Sequence, residues 1–411
     1  MPIDPLTPMP PTSPPAPPHS AQPHPVLGLV LMGGGARTAY QAGALQAIGQ
    51  LLTHTAGPAP AFPFQVLAGT SAGALNATFL ASKAMEGLAG LNDLAHFWTH
   101  IRTEAVYCLP QTPLDKFSRW ATAVGLLRSA RTHAAAMDSL ALVNTLHRAI
   151  ALEKIDTALQ SGVLQALAVT ASSYSSGVHW TFCQTRDGLP IPWSRPGRRA
   201  EQQPITIEHL MASSAIPFIF PSTPLWVDGG MEFFGDGSMR QISPLSSAVH
   251  LGADRILVIG VGRLYEPPDL REKVVEYPNL AQIAGHAMSS IFLDSLTVDI
   301  ERLQRINHTL SLMTPEQRER TSLRPIDVLV IAPSQRIDDI AARHLWALPP
   351  AVRAMLRAVG VYGEGKSARG AALASYLLFE PGFVQALISL GEQDAYARRA
   401  ELEAFFDTPP T

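Results

Sequence analysis

The chain has 411 residues, of which 46% are hydrophobic and 16% are charged, so it can bury a large core as one domain or two. The net charge is −3 and no long basic run occurs, so the chain lacks the positive electrostatic potential that binds a polyanion. We therefore do not expect nucleic acid as a partner. The two cysteines lack the spacing of a metal site, and neither a signal-like N-terminus nor a run of 18 apolar residues occurs, so we expect a cytoplasmic protein.

The first predicted strand and helix follow a proline-rich tail. Residues 1–25 contain eleven prolines, which oppose helix and central strand, so we expect this tail to be disordered and outside the fold. Residues 26–32 (VLGLVLM) form a short apolar run that is typical of a buried strand in a parallel sheet. Three glycines come next, and residues 36–52 have the apolar spacing of a helix.

Two functions compete for this glycine-rich turn. It could cradle a phosphate, as in a dinucleotide site, or present backbone N–H groups to a developing oxyanion. A dinucleotide site requires a third glycine where Thr38 stands and an acidic residue about 20 positions later, yet no Asp or Glu lies between Met32 and Met85. We therefore expect an oxyanion hole, with a simple tight turn as the alternative. Its donors would come from Gly33, Gly34, Gly35 and Ala36.

A second strand, turn and helix unit is centred on Ser71. Residues 64–82 read as an apolar run, then Gly69-Thr70-Ser71-Ala72-Gly73, then an Ala/Leu-rich helical run, which is the pattern of a nucleophile elbow. The turn strains the Ser71 backbone, and a Cβ at Gly69 or Gly73 would collide with the neighbouring strand or helix. We expect Ser71 to stand exposed at the helix N-terminus as a nucleophile. The alternative is a Gly-Ser loop between unrelated elements.

Together the two motifs, GGGARTAYQAGAL and GTSAG, resemble the patatin-like phospholipases of bacterial type. The resemblance implies an α/β protein with a three-layer fold around a mainly parallel central sheet. It also implies hydrolysis of acyl esters of lipids by a Ser-Asp dyad, without metal or cofactor. Arg37 matches a basic residue frequent in the family, and would support the loop or the charge of the substrate. Thr38 departs from the usual glycine.

Residues 87–160 are mostly helical in pattern and would form either a lid over the site or helices that cover the core. Two further strands are predicted, at residues 164–171 and 178–183.

The segment after these strands is rich in Pro and Gly and places one aromatic residue beside three cations: Trp193, Arg195, Arg198 and Arg199. It is a candidate for transient contact with an anionic membrane surface, with a solvated loop as the alternative.

Two Asp-Gly pairs compete for the catalytic carboxylate. Asp228-Gly229-Gly230 matches the local family motif better, but it joins two β-prone runs and reads as the turn of a hairpin. Asp236-Gly237 ends the second run and is followed by Pro244, a helix and a buried strand at residues 255–261, in the order that the family shows. We therefore predict Asp236 as the proton acceptor and keep Asp228 as the alternative.

The remainder of the chain changes character. We divide the chain into the tail (1–25), a catalytic domain (26–263) and a mostly helical C-terminal region (264–411) packed on it. Long amphipathic runs at 283–313 and 345–406 flank IDVLVIA at 326–332, which is apolar enough to extend the sheet.

Two alternative functions stay open besides the lipid acyl hydrolase. One is an α/β-hydrolase with a Ser-Asp-His triad, because four histidines follow both acids in the required order: His250, His286, His308 and His344. The other is a lipid-binding protein that kept the fold without catalysis. The intact Ser71, the glycines and the Asp-Gly pair argue against it.

Overall fold

The computed structural model of the protein describes residues 25–56, 61–109, 137–186, 189, 193–264 and 277–407. Residues 1–24 of the predicted tail lie outside this part of the chain, as do residues 110–136 in the middle of the predicted lid segment. Trp120, Leu126 and Leu127, which contribute to the helical pattern there, are therefore not described.

Ten strands of the described residues form a single sheet. The strands are Leu27–Leu31 (β1), Val66–Thr70 (β2), Ala166–Ser173 (β3), His179–Thr185 (β4), Ser194–Arg195 (β5), Arg198–Gln202 (β6), Thr223–Val227 (β7), Gly230–Asp236 (β8), Arg255–Ile259 (β9) and Asp327–Ile331 (β10). The order is β10-β9-β1-β2-β3-β4-β6-β5, with the β7–β8 hairpin attached to β3 through β8. The five strands from β10 to β3 are parallel, so the predicted α/β fold with a mainly parallel sheet is confirmed.

Helices cover both faces of this sheet. They are Ala39–Ala56 (α1), Ala72–Lys83 (α2), Ala89–His100 (α3), Thr103–Val106 (α4), Leu140–Ala149 (α5), Glu153–Gln160 (α6), Ile207–Ser213 (α7), Ser246–His250 (α8), Leu280–Ser289 (α9), Ser295–Ser311 (α10), Pro315–Glu319 (α11), Ile337–Ala342 (α12), Pro350–Ala358 (α13), Ala371–Ser375 (α14), Pro381–Ala397 (α15) and Arg399–Asp407 (α16). Short 3₁₀ turns span Gly35–Thr38, Ala84–Glu86, Gly237–Arg240, Leu345–Ala347 and Gly365–Ser367, and a π turn spans Ser290–Asp294.

Two apolar clusters fill the space between these layers. The larger one joins one sheet face to α1, α2, α3 and the C-terminal helices α12 to α16. The smaller one joins the other face to α8 and α10. The strands β1 and β9 are buried along almost their whole length because both of their faces are covered, which explains why they read as continuous apolar runs.

The C-terminal part of the chain shares the sheet and the core. Strand β10 pairs with β9 in parallel register, as the apolar run at 326–332 predicts. The predicted run at 283–313 forms α9 and α10, joined by the π turn Ser290–Asp294. The predicted run at 345–406 is broken into several helices: Ala371–Ser375 is one short helix, after which the chain turns and Tyr376 and Leu377 are buried in the core.

Within the described residues, every helix is too short or too polar to cross a bilayer.

The longest helix, α1, packs closely against α15 at two glycines. A Cβ at Gly43 would overlap the carbonyl oxygen of Ile388, and a Cβ at Gly391 would overlap that of Tyr40. The two helices therefore approach backbone to backbone.

We expect Gly43→Ala to destabilise the protein by about 2 kcal/mol, because overpacking against a backbone atom exceeds the gain of about 1 kcal/mol in helix propensity. Gly49→Ala is the matched control in the same helix, since its Cβ would meet the flexible Leu91 side chain at 3.3 Å. Chemical unfolding of both variants measures the difference. Equal stability of the two would show that the close approach of α1 and α15 is not needed.

Candidate active site

The turn after β2 has the geometry predicted for an elbow. Ser71 lies between β2 and α2 with φ 56° and ψ −134°, a left-handed backbone that costs a non-glycine residue on the order of 1–3 kcal/mol. A Cβ at Gly69 would lie 2.6 Å from the Cα of Ala74, and a Cβ at Gly73 would lie 2.6 Å from the carbonyl oxygen of Met32. Only glycine lets β1, β2 and α2 pack this closely.

Strand pairing places Asp236 beside this elbow. Strand β2 pairs with β3 as far as Thr70 and Thr170, where the chain turns away into the elbow. From the next residue of β3, Ala171, the partner on the same side is β8, and the first pair is Ala171 with Asp236. Asp236 therefore takes the place along β3 that follows Thr70. Because β8 follows β2 along the same edge of β3, Ser71 and Asp236 lie side by side although they are 165 positions apart in the sequence.

The side chains of Ser71 and Asp236 are in direct contact. The Ser71 hydroxyl donates a hydrogen bond of 2.5 Å to Oδ2 of Asp236, and the backbone N–H of Ser238 donates one of 2.9 Å to Oδ1. The carboxylate is fully buried, and this burial raises the pKa of Asp236 to about 6, while the two hydrogen bonds act in the opposite direction. A carboxylate whose protonated form has this pKa is a stronger base than an ordinary aspartate.

Residues 211–220 support the pair from behind, which the sequence analysis did not anticipate. The hydroxyl of Ser213 accepts a hydrogen bond of 2.8 Å from the Ser71 N–H, and the carbonyl of Ala215 accepts one of 2.9 Å from the Asp236 N–H. Both lie in the segment ASSAIP at residues 212–217.

The glycine-rich loop lies directly beside the elbow. A Cβ at Gly33 would lie 2.9 Å from the Cβ of Ser71, so the loop and the elbow are in contact through glycine alone. Gly35 has φ 54°, and its Cβ would overlap the Tyr376 carbonyl. Within the described part of the chain, the N–H groups of Gly33, Gly34 and Gly35 have no hydrogen-bond acceptor.

Ala36 differs from the three glycines. Its N–H donates a hydrogen bond of 3.0 Å to the Tyr376 carbonyl, so it is not free to bind an oxyanion, contrary to the expectation that included it. Thr38, which replaces the usual glycine, is fully buried and donates from its hydroxyl to the Gly35 carbonyl at 2.8 Å. The threonine therefore closes the loop on itself.

Arg37 connects this loop to the C-terminal helices. Its side chain is buried, donates to the Ser375 hydroxyl at 2.7 Å and to Asp338 at 2.5 Å, and lies over the Tyr376 ring at 4.1 Å. Asp338 compensates its charge. Of the two roles that the resemblance implied, these contacts favour support of the loop over attraction of a substrate.

Ser71 is buried, although the elbow pattern had predicted an exposed nucleophile. Only 1% of its surface is accessible, and Phe292 of the π turn is equally buried. The Phe292 ring stacks on Tyr376, and a Cβ at Gly33 would lie 3.0 Å from its edge. Phe292 of the C-terminal region therefore lies against the glycine-rich loop beside Ser71. The predicted lid segment contributes α3, which packs on α1 and α2, while residues 110–136 lie outside the described chain.

The sequence profile of a family described as patatin-like phospholipase matches residues 29–249, more than half of the chain. The chain belongs to the patatin-like phospholipase family. The matched range contains the glycine-rich loop, Ser71 and both Asp-Gly pairs. No curated protein matches the chain.

Several solved structures are similar to this patatin-like phospholipase. Human GIVD cytosolic phospholipase A2 is 12% identical, with a TM-score of 0.41, over 93% of this chain and 60% of that one. The same human enzyme in complex with methyl gamma-linolenyl fluorophosphonate gives 14% and 0.41, over 93% and 59%. VipD from Legionella pneumophila gives 14% and 0.26, over 90% and 67%. The chain thus spans about three fifths of the length of the human structures, and TM-scores below 0.5 say nothing further about it.

Asp228, the alternative candidate for the proton acceptor, does not lie beside Ser71. Asp228 occupies the turn of the β7–β8 hairpin with φ 53°, is exposed, and forms an ion pair with Arg199. The hairpin turn was predicted from its Asp-Gly pair, and the structure agrees. Asp228 has no contact with Ser71 in the described residues.

The histidines of the proposed triad are also not at the pair. His250 stacks on Trp193, and His344 packs near Phe383. Among the described residues, no imidazole hydrogen-bonds to Ser71 or Asp236, and no group of three His, Cys, Asp or Glu side chains could hold a metal. Trp193 is half-buried against His250 and is not the projecting tip that a membrane contact would need.

Proposed function

We propose that this patatin-like phospholipase hydrolyses acyl esters of lipids, with Ser71 as nucleophile and Asp236 as proton acceptor. The observation that carries the proposal is the direct hydrogen bond of 2.5 Å from the Ser71 hydroxyl to the buried Asp236 carboxylate. A nucleophile and its base must lie within hydrogen-bond reach of each other, and this pair meets that requirement without an intervening imidazole.

In the proposed reaction, Asp236 accepts the hydroxyl proton as the Ser71 oxygen attacks the ester carbonyl. The negative charge that develops on the carbonyl oxygen is bound by the free N–H groups of Gly34 and Gly35. The N–H of Ala72 adds a donor, because the first residue of a helix has no intrahelical acceptor. Each such donor is commonly worth about 3–4 kcal/mol in the transition state. The alcohol leaves with the proton, and water then releases the acyl group from Ser71 by the reverse proton path.

A candidate membrane contact lies on the β7–β8 hairpin rather than at Trp193. The register pairs Trp226 with Met231 and Pro224 with Phe233, so these four side chains share one face of the hairpin. Trp226, Met231 and Phe233 are all exposed. Because strand β8 ends at Asp236, this apolar face is continuous with the strand that carries the proposed base. We propose that it touches the lipid surface that holds the substrate.

Asp236→Asn should lower kcat for a short-chain p-nitrophenyl ester at least about 1000-fold, because asparagine cannot accept the Ser71 proton. Asp228→Asn is the matched control, since asparagine tolerates the left-handed turn equally well. The activity and stability of this variant should stay near those of the parent.

A fluorophosphonate probe should label Ser71 in the parent and should not label Ser71→Ala, with the adduct located by mass spectrometry.

The opposite result, an inactive Asp228→Asn beside an active Asp236→Asn, would exclude the proposed base. Substitution of His250, His286, His308 and His344 one at a time should leave kcat within about tenfold, and a loss of several orders of magnitude at one of them would favour the triad instead. A folded protein that neither labels nor turns over any ester would favour the non-catalytic lipid-binding alternative.

The pH profile should report the burial of Asp236. The active form of the base is the ionised one, so kcat/KM should be flat above about pH 7 and fall tenfold per pH unit below the pKa of about 6. The measurement uses an ester without a titrating group, with Asp228→Asn as the control profile. A midpoint near pH 4, the value of an ordinary aspartate, would show that the carboxylate is not desolvated in the working enzyme.

The hairpin face can be tested separately from the chemistry. Trp226→Ala combined with Met231→Ser should lower turnover of phospholipid in vesicles at least fivefold, because it removes apolar area that enters the interface. Turnover of a soluble short-chain ester should remain unchanged. The exposed Leu323 is far along the chain from this hairpin, and Leu323→Ser serves as the control. Equal loss on both substrates would mean that the hairpin only supports the fold.

A further inference from the structure

A polar pocket lies on the sheet face that also carries the smaller apolar cluster. Along β3, Ala166 and Ala168 belong to this cluster, and Thr170 follows on the same face. Thr170 pairs with Thr181 of β4, and His179 of β4 pairs with Arg198 of β6, so polar side chains from three strands share the end of this face. Gln241 and Ser243 line the pocket from the other side.

Several groups in this pocket have no partner among the described residues. His179 is 5% exposed, and its buried Nδ1 makes no hydrogen bond. The guanidinium of Arg198 lines the pocket and forms neither an ion pair nor a hydrogen bond within the described chain. Arg240 is exposed and lies outside the lining, near enough to lower the pKa of His179. A buried nitrogen without a partner costs free energy, so a ligand that accepts hydrogen bonds here would be favoured.

The charges around the pocket favour an anion. Burial first, and then Arg198 and Arg240, lower the pKa of His179 to about 4, so the ring is neutral at pH 7. Burial, Arg195 and Arg198 lower the pKa of His250 in the same way.

The pocket also has an acidic neighbour. Asp299 accepts hydrogen bonds from the Leu245 N–H at 3.0 Å and from Arg302 at 3.4 Å, and burial raises its pKa. The Ser243 hydroxyl also donates to Asp299, and both Arg302 and Arg198 act on its charge. Four arginines therefore surround one carboxylate, and the positive charge is in excess.

We propose that this pocket binds the phosphate group of a ligand, with Arg198 and His179 as its main contacts. A guanidinium binds phosphate through two parallel charge-assisted hydrogen bonds, and the neutral His179 ring would donate from Nδ1. The hydroxyl of Thr181 supplies a further donor, and Trp193, stacked on His250 at 4.6 Å between ring centres, forms one wall. A phosphate here would satisfy the unpaired nitrogen and the excess charge at once.

The pocket is joined to the elbow by hydrogen bonds. Gln241 donates to the Thr70 hydroxyl at 2.7 Å, and the hydroxyls of Thr70 and Thr170 are 2.8 Å apart. Thr70 immediately precedes Ser71, and Gln241 directly follows the 3₁₀ turn that begins after Asp236. The bound phosphate would therefore contact the loop between Asp236 and α8, although its binding does not depend on the proposed catalysis.

Two neighbouring arginines provide a matched pair for the test. Arg198 faces the pocket, whereas Arg199 lies over Trp180 on the other sheet face and pairs with Asp228. Titration calorimetry of the full chain with inorganic phosphate and with sulfate, at constant ionic strength, should show saturable binding. Arg198→Gln should weaken it at least tenfold, and Arg199→Gln less than twofold. Should Arg198→Gln not fold, His179→Phe takes its place, with the same loss expected, because His179 also lines the pocket.

A second measurement identifies the source of the phosphate. Flotation with vesicles of phosphatidylcholine, with and without phosphatidic acid, is performed in buffer free of phosphate and sulfate. Loss of phosphatidic-acid-dependent binding in Arg198→Gln but not in Arg199→Gln would support the pocket as a headgroup site. Loss of soluble-anion binding alone would support it as a site for a free phosphate compound. If neither kind of binding depends on Arg198, or if both variants lose it equally, the proposal is wrong.

Discussion

The Asp236 carboxylate has no contact with solvent and receives two hydrogen bonds from its surroundings, one from the Ser71 hydroxyl and one from the Ser238 N–H. Burying a carboxylate is costly unless such donors are held in place, so the geometry around it must be rigid. The succession of β2 and β8 along β3 supplies that rigidity, because strand pairing leaves neither partner freedom to shift. The hydroxyl of Ser213 and the carbonyl of Ala215 then orient the two backbones.

The C-terminal region stabilises the other side of the same site. Tyr376 accepts the Ala36 N–H through its carbonyl, lies beneath the Arg37 guanidinium and stacks on Phe292. One residue thus contacts both the glycine-rich loop and Phe292. The close approach of α1 and α15 fixes the helix that follows this loop, so residues beyond 264 act on the site without contributing to the proposed chemistry.

The parts that could be predicted from sequence are those set by local backbone chemistry. The elbow follows from Gly69 and Gly73, whose missing Cβ atoms permit the close packing, and the turn at Asp228 follows from its Asp-Gly pair. Each requirement lies within a few residues of its cause. The contacts of Arg37 with Asp338 and of Ala36 with Tyr376 join residues more than 300 positions apart, and no local pattern predicts them. The position of Phe292 beside the glycine-rich loop was missed for the same reason, since it comes from a helical run that looks ordinary in sequence.

The buried position of Ser71 separates two quantities that are often treated as one, the reactivity of the serine and the fraction of molecules in which it can be reached. If substrate enters only when the π turn with Phe292 moves aside, the observed rate is the intrinsic rate multiplied by the open fraction. A cover that is open in about one molecule in a hundred would hide a fast serine behind a slow assay. A π turn, which already carries one residue more than a regular helical turn, is a place where a helix can change register at small cost. Latency would then be a property of α9 and α10, and any surface that draws Phe292 outward would act as the switch.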